Sequence, residues 1–461
     1  MKNTTYNILY ILILLVLMAC ESELNQIPPN NLVEANVIVD QKSAEAALIG
    51  TMQPLERINP SPFGADYISN GAHMVGFLSG NFDKTDSEAI VNVFTTSNGW
   101  DQCSDIINAA NLVIEKTALV SNSKFEQGRK EEVIAEARFM RFFAQYYLFR
   151  HYGQFWKLDS PFGALMRREP SKLSTLNHKR ATVTETYTLL LEDLNYVIQK
   201  GPEFSTVYRP SSLLAKAYKA ELLIMRGTNE DLQEAITIAD EVLNDGKRSM
   251  ETTYEAIFEK GYESSELLFT RFLDANSLNF VFRNVDSIIR LFNGEDGFEM
   301  TSLFLDVLGN DARLPLYYNG IDINKVSKLY KEDGNCLPYY MRISQMYLIK
   351  AEAHARLQQK NQAIEAINVL RVRAGEIPIN QATIADNELN KTVFEEICKE
   401  MAMEKGYEWL ASIRLMNNAN QAIIFDIKTE VTSENQFIWP IPVDEVRLNM
   451  SMVQNPGYEN L

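Results

Sequence analysis

The chain has 461 residues, 46% apolar and 23% charged, which suits a large globular fold and excludes wholesale disorder. Its formal net charge is -17. Affinity for phosphate backbones comes from clustered Lys and Arg, and no basic stripe exists here, so nucleic acid is excluded as a partner. The acidity is compatible with uncharged ligands, with cations, or with solubility alone.

In chain order, Lys2 gives a positive start, and Ile8 to Ala19 is an apolar run broken in character only by Tyr10. That length matches the hydrophobic part of a signal peptide and is too short to span a roughly 30 Å hydrocarbon core. The run ends Leu17-Met18-Ala19-Cys20, which resembles the lipobox of bacterial lipoproteins, with Cys20 the acylated residue. A plain secretory peptide or a buried strand ending in Cys is the alternative. This divides the chain into a signal peptide (1–19), an acylated tether (20–35) carrying Glu21, Glu23, Pro28 and Pro29, and a body (36–461) in halves of about 36–245 and 246–461. Beyond Cys20 stand Cys103, Cys336 and Cys398. No pair has metal-ligand spacing, and three buried, inert thiols are expected.

Helical periodicity dominates the body. It predicts helices over 104–120, with capping-type Asp101 and Ser104 before it, and over 131–152, rich in Phe and Tyr and stopped by Gly153. Further helices are predicted over 184–199, 211–226, 231–244, 342–357, 361–373 and 387–414. Two stretches look alike. Ala217-Tyr218-Lys219-Ala220-Glu221 leads through a polar turn to Glu234-Ala235-Ile236, and Lys350-Ala351-Glu352-Ala353 leads to Gln362-Ala363-Ile364. Small residues in a first helix, a short turn and an x-Ala-Ile opening of a second form the tetratricopeptide pattern, with generic helical hairpins as the alternative. The fold class read from this is mostly α, with tetratricopeptide-like hairpins and a large irregular, loop-rich ligand-binding region. The irregular parts are residues 51–100 and 246–341, rich in Gly, Asn, Asp and aromatics.

Several motifs together resemble the SusD/RagB family of outer-membrane nutrient-binding lipoproteins. They are the lipobox and tether; Trp100 with Ile106-Ile107-Asn108-Ala109-Ala110-Asn111; and Ala135-Glu136-Ala137-Arg138-Phe139-Met140-Arg141-Phe142-Phe143-Ala144, running to His151-Tyr152-Gly153. Ser265-Glu266-Leu267-Leu268-Phe269, Asp311-Ala312-Arg313, the 342–353 helix, Leu370 to Gly375, Trp439-Pro440-Ile441-Pro442 and Asn455-Pro456-Gly457-Tyr458 follow in the family's order. One departure is the stretch Glu400 to Trp409, where the family's arginines are missing; this puts local ion pairing in doubt, not the fold. The resemblance implies a surface-facing, lipid-anchored outer-membrane protein that binds an oligosaccharide or a peptide. It also implies a SusC-like TonB-dependent transporter as partner.

Catalytic signatures are missing from the sequence. His73, His151, His178 and His354 stand apart, each expected to be satisfied or solvent-facing. There is no nucleophile elbow, Walker loop or His-Glu-x-x-His. Carboxylates are plentiful, but nothing singles out a glycosidase pair, and Asn319 to Asn324 fits a calcium loop poorly. No cofactor or metal is expected, and the protein is read as a non-enzyme. The alternatives are a surface glycoside hydrolase and a helical-repeat adaptor for proteins. Sugar faces pack on aromatic rings while hydroxyls pair with polar side chains. The candidate ligand-binding residues are Phe63, Tyr67, Asn70, Phe292, Tyr317 and Tyr318, with Phe77, Phe82 and Tyr330 further loop aromatics. Packing of such rings against the body is the competing reading.

Overall fold

The computed structural model describes residues 37–56, 65–79, 93–175, 177–272, 299–317, 328 and 337–458, with the backbone alone at 65–69, 93–98, 173 and 299. The signal peptide, the tether and Cys20 lie outside these. Among the described residues no helix is long and apolar enough to cross a membrane.

Helices α1 (Gln41–Glu56) and α2 (Ala65–Val75) precede the long α3 (Val93–Leu119) and α4 (Arg129–Tyr152). Then come α5 (Val183–Lys200), α6 (Ser212–Arg226), α7 (Asn229–Leu243), α8 (Tyr254–Lys260) and α9 (Ser302–Leu308). The C-terminal part holds α10 (Ser344–Arg356), α11 (Lys360–Arg373), α12 (Leu389–Met401), α13 (Tyr407–Arg414) and α14 (Val443–Leu448). Start signals explain the boundaries. Thr182 and Glu185 form a capping box on α5, and Thr228 and Asp231 form one on α7. Gly227, at φ 71°, ends α6 in the left-handed region that favours glycine. Gly153 ends α4, its N–H donating to Phe149.

The two look-alike hairpins are α6–α7 and α10–α11. Although about a hundred residues apart in sequence, they stack as neighbours, α7 packing against α10. Lys219 reaches Glu234 at 2.8 Å inside the first pair, and Lys350 reaches Asp240 at 2.6 Å across to the second. Ala220, Ala235, Ala351 and Ala363 are all fully buried, which is what lets the helices approach so closely. The buried residues form one continuous cluster from Leu55 to Met452, plus a small one beneath α1.

The helix expected over 387–414 is broken. Ala402–Gly406 is a tight turn in which Met403 (φ 63°), Lys405 (φ 48°) and Gly406 (φ 67°) are left-handed. Such a conformation costs a non-glycine residue about 1 kcal/mol or more and persists only where the surroundings enforce it. Here Ala402 to Lys405 are buried and Gly406 is half-buried. The 51–100 region also holds more helix than expected, namely the end of α1, all of α2 and the start of α3. Because α3 begins at Val93, Asp101 and Ser104 are not caps; the Ser104 hydroxyl donates back to Trp100 at 2.9 Å.

Candidate functional site

Two short antiparallel ladders organise the irregular part. In the first, β1 (Leu78–Ser79) pairs with β3 (Glu299–Met300), Ser79 opposite Glu299. In the second, β2 (Leu267–Phe269) pairs with β4 (Met341–Arg342), Phe269 opposite Met341. Antiparallel register fixes what lies at each ladder end. Ser79, the last described residue before 80–92, thus lies beside Glu299, the first described residue after 273–298. Beyond the second ladder Thr270 Oγ1 donates to the Pro338 carbonyl at 2.8 Å, so the residues before 273–298 lie beside those after 318–336.

Aromatic packing holds each ladder on the frame. Phe139 and Phe143 of α4 meet Phe269 edge-on, both at 5.5 Å, and Phe143 lies 5.5 Å from Tyr340. Each such pair contributes about 0.5–1.5 kcal/mol beyond area burial. Under the first ladder Phe77 stacks on Phe304 at 4.6 Å, and Phe304 meets Tyr317 at 5.2 Å. Thr301 ties the strand to the turn after α2, donating through its hydroxyl to Gly76 and through its N–H to Phe77.

Beneath the second ladder lies a buried ion network. Glu400 accepts from Arg313 (3.1 Å), Arg342 (2.6 Å) and Arg373. Arg313 also pairs with Asp311 (2.8 Å) and Glu396 (2.7 Å), and Arg342 with Glu404 (2.8 Å). Glu266, on the approach to β2, holds Arg342 and Arg373. Burial alone would raise the Glu400 carboxyl; the three guanidinium groups overcome this and hold it well below the usual carboxylate range. Lys405, which burial pulls down to about 8 against the pull of Glu221, reaches Glu221 on α6. The doubt raised by the missing family arginines is thus resolved: Glu400 and Glu404 draw their cations from Arg313, Arg342, Arg373 and Lys328 on other elements.

The proposed binding residues fall in different places. Phe63, Phe292 and Tyr318 lie outside the described residues, as do Phe82 and Tyr330, and Tyr67 is placed only by the α2 backbone. Asn70, half-buried, lines a narrow crevice with Met74, Arg150, His151, Lys405 and Trp409. The crevice encloses about 300 Å³, part of it open solvent, and inside it has room for about one water molecule. A sugar ring does not fit there. Tyr317 corrects the expectation. It is fully buried, its hydroxyl 3.0 Å from that of Tyr254 and donating to Lys399 at 3.1 Å, so it supports the edge from below. Phe77 is core as well. Among the described residues the exposed ring at the edge is Phe272, 46% exposed and 4.9 Å from Tyr208. Its position three residues after the Ser265-Glu266-Leu267-Leu268-Phe269 motif was the signal that sequence reasoning passed over.

The histidines do not converge. His73 is half-buried and depressed to about 4 by desolvation. His151 lies between Tyr147 (4.1 Å) and Trp439 (4.4 Å), with Nδ1 bonded to the Tyr147 carbonyl at 2.8 Å. His178 is exposed, and His354 bonds Gln359 at 2.6 Å. Among the described residues no group of His, Cys, Asp or Glu is arranged to hold a metal ion. Cys103 and Cys398 are buried free thiols, and Cys336 lies outside the described residues.

The C-terminal motifs close the frame. Asn455 donates to the carbonyls of Tyr152 (3.0 Å) and Trp439 (2.7 Å). Arg180 donates to the carbonyls of Tyr152 and Gly163 and to the Asn455 side chain, and burial lowers it to about 9.

Comparison with known proteins fits this architecture. Residues 309–410 match the family model described as the SusD family, and residues 4–223 match one described as starch-binding, associating with outer membrane. A SusD-like protein of Formosa agariphila is 24% identical over 98% of this chain and 99% of its own length. Among solved structures, a SusD superfamily protein of Bacteroides thetaiotaomicron superposes with a TM-score of 0.75 at 17% identity, covering 91% of this chain and all of that one. A laminarin-binding SusD-like protein gives 0.70 at 17% identity, with 91% and 100% covered. With its helical hairpins, ordered motifs and two matching models, the chain belongs to the SusD family.

Proposed function

We propose that this protein is a surface-facing outer-membrane lipoprotein, anchored through Cys20, that captures a glycan without altering it and delivers it to a TonB-dependent transporter. The observation that carries the reading is the pair of ladders. They pair the residues that flank 80–92 with those that flank 273–298, and the residues that flank 273–298 with those that flank 318–336, stretches that bear aromatic and Asn residues in sequence. Concave, aromatic-lined sites suit sugars, whose C–H faces pack on rings while their hydroxyls pair with polar groups. A fold neighbour that binds laminarin and a family model named for starch binding at the outer membrane support the glycan and the location.

The test is binding to an array of oligosaccharides, laminarin fragments included, with chromatographic analysis of the recovered sugar. The expected result is saturable binding of an unaltered glycan. Shortened products point instead to a hydrolase, and binding confined to peptides to a different nutrient. Acylation at Cys20 is tested by mass spectrometry of the membrane-extracted chain; an unmodified thiol there removes the anchor from the account.

A further inference from the structure

The turn Ala402–Gly406 touches four elements at once. Glu404 pairs with Arg342 of β4 at 2.8 Å and with Lys328 at 2.6 Å. The Lys405 ammonium donates to the carbonyl of Tyr340, the residue before β4, at 3.1 Å and pairs with Glu221 of α6. Gly406 lies against Gly71 of α2, backbone on backbone. The Met403 N–H donates to Glu408, in the first turn of α13, at 3.1 Å.

Two of these contacts lead directly into a ladder. Helix α2 ends in a Schellman closure, the Gly76 N–H donating to His73 at 3.0 Å and the Phe77 N–H to Ala72 at 2.7 Å. Leu78, the first residue of β1, follows at once, and the Phe77 carbonyl accepts from the N–H of Thr301, just past β3, at 3.0 Å. Gly71 is therefore joined to the first ladder through one hydrogen-bonded helix end. On the other side the Tyr340 N–H donates to Phe269 at 3.0 Å and the Ile343 N–H to Glu266 at 2.8 Å. Tyr340 and Arg342 thus stand within the second ladder's own bonds.

The backbone that joins these contacts is strained. Met403 and Lys405 take left-handed φ although both are buried, and such a conformation persists only where its surroundings enforce it. Lys405 adds the burial of an ammonium. Neighbouring residues of a helix do not share a face, yet Glu404 and Lys405 both reach the 340–342 strand. The turn permits this where an unbroken helix would not.

We propose that the Ala402–Gly406 turn is a positioning clamp: it holds the first ladder, through α2, and the second, through Tyr340 and Arg342, in one relative placement, and glycan capture requires that placement. The last clause rests on the binding function argued above; the clamp itself does not.

Hydrogen–deuterium exchange on the purified protein compares wild type with Gly71→Ala, which crowds the turn from the α2 side, and Glu404→Gln, which removes its charge from the β4 side. Leu232→Ala, a core truncation in α7, controls for a general loss of stability. A clamp makes each variant loosen the far ladder as well as the near one. Expected in Gly71→Ala is at least fivefold faster exchange at Tyr340 and Ile343, and in Glu404→Gln the same at Phe77 and Thr301, in both cases beyond any change in α5. In Leu232→Ala the ladders should change no more than α5 does. Far-ladder exchange at the control level in either variant overturns the clamp; should one variant fail to fold, the other decides alone. Both variants should also bind laminarin oligosaccharides at least fivefold more weakly. Faster exchange in both ladders with unchanged affinity overturns the capture clause. If the wild-type protein binds no oligosaccharide, that clause falls with the binding function, and the exchange rates still decide the clamp.

Discussion

Arg342 grips Glu400 at two points, donating to its carboxylate at 2.6 Å and to its backbone carbonyl at 2.7 Å. The first residue belongs to the second ladder and the second to the last turn of α12. Frame and ladder are thus held by a charge pair with neither partner exposed.

Glu400→Gln should therefore be strongly destabilising. It leaves Arg313, Arg342 and Arg373 facing a neutral amide in the core, and breaking such a buried pair costs about 3–5 kcal/mol. Denaturant unfolding at neutral pH measures it. The folded-state value of Glu400 lies below its unfolded one. Its contribution is therefore present above the unfolded carboxylate range and lost as pH falls. The gap between wild type and Glu400→Gln should shrink on acidification.

Glu408 has the opposite sign. It is fully buried, Oε1 accepts from Met403 at 3.1 Å, and Oε2 has no hydrogen-bond partner among the described residues. Burial pushes its carboxyl up to about 7. A group raised on folding stabilises fully below its unfolded value of about 4.3, and that contribution is lost as pH rises through about 7. Glu408→Gln should gain on wild type by on the order of 2 kcal/mol between pH 5 and pH 8. A difference independent of pH in paired thermal melts would contradict this.

Lys405 and Glu221 form a second test of the buried charges. Lys405→Met leaves Glu221 in the core with Tyr146 and Gln345 as its hydrogen-bond partners among the described residues. Lys405→Met/Glu221→Gln removes both charges. The double variant should be more stable than Lys405→Met alone, with a coupling energy of about 1–3 kcal/mol from the four unfolding curves.

Gly71 crosses the turn at Gly406 so closely that a methyl group on it would overlap the Gly406 backbone. Gly71→Ala should cost about 1–3 kcal/mol through overpacking and shift α2 with Asn70. A melting temperature equal to wild type would show that α2 does not sit against this turn.

Much of the frame could be read in the residues. Amphipathic spacing marks α4 to α7 and α10 to α12, and the Lys-Ala-Glu repeat marks two hairpins that do pack as neighbours. The break at Ala402–Gly406 was hidden because apolar residues continue at helical spacing across it. Strands of two or three residues carry too little alternation to register, so the ladders were invisible. The arginines of Glu400 come from three separate elements, which no local pattern reveals. Tyr317 was misplaced for a related reason: an aromatic in an irregular stretch reads the same whether it faces a ligand or the core.

The central claim is capture without chemistry at the edge built by the two ladders. Isothermal titration of the purified protein with the array-selected glycan, followed by chromatography of the same sample, tests it most directly. The account predicts a saturable heat, a sugar recovered intact, and at least tenfold weaker binding when the exposed ring is removed in Phe272→Ala. A shortened sugar, or full affinity after the ring is removed, would contradict it.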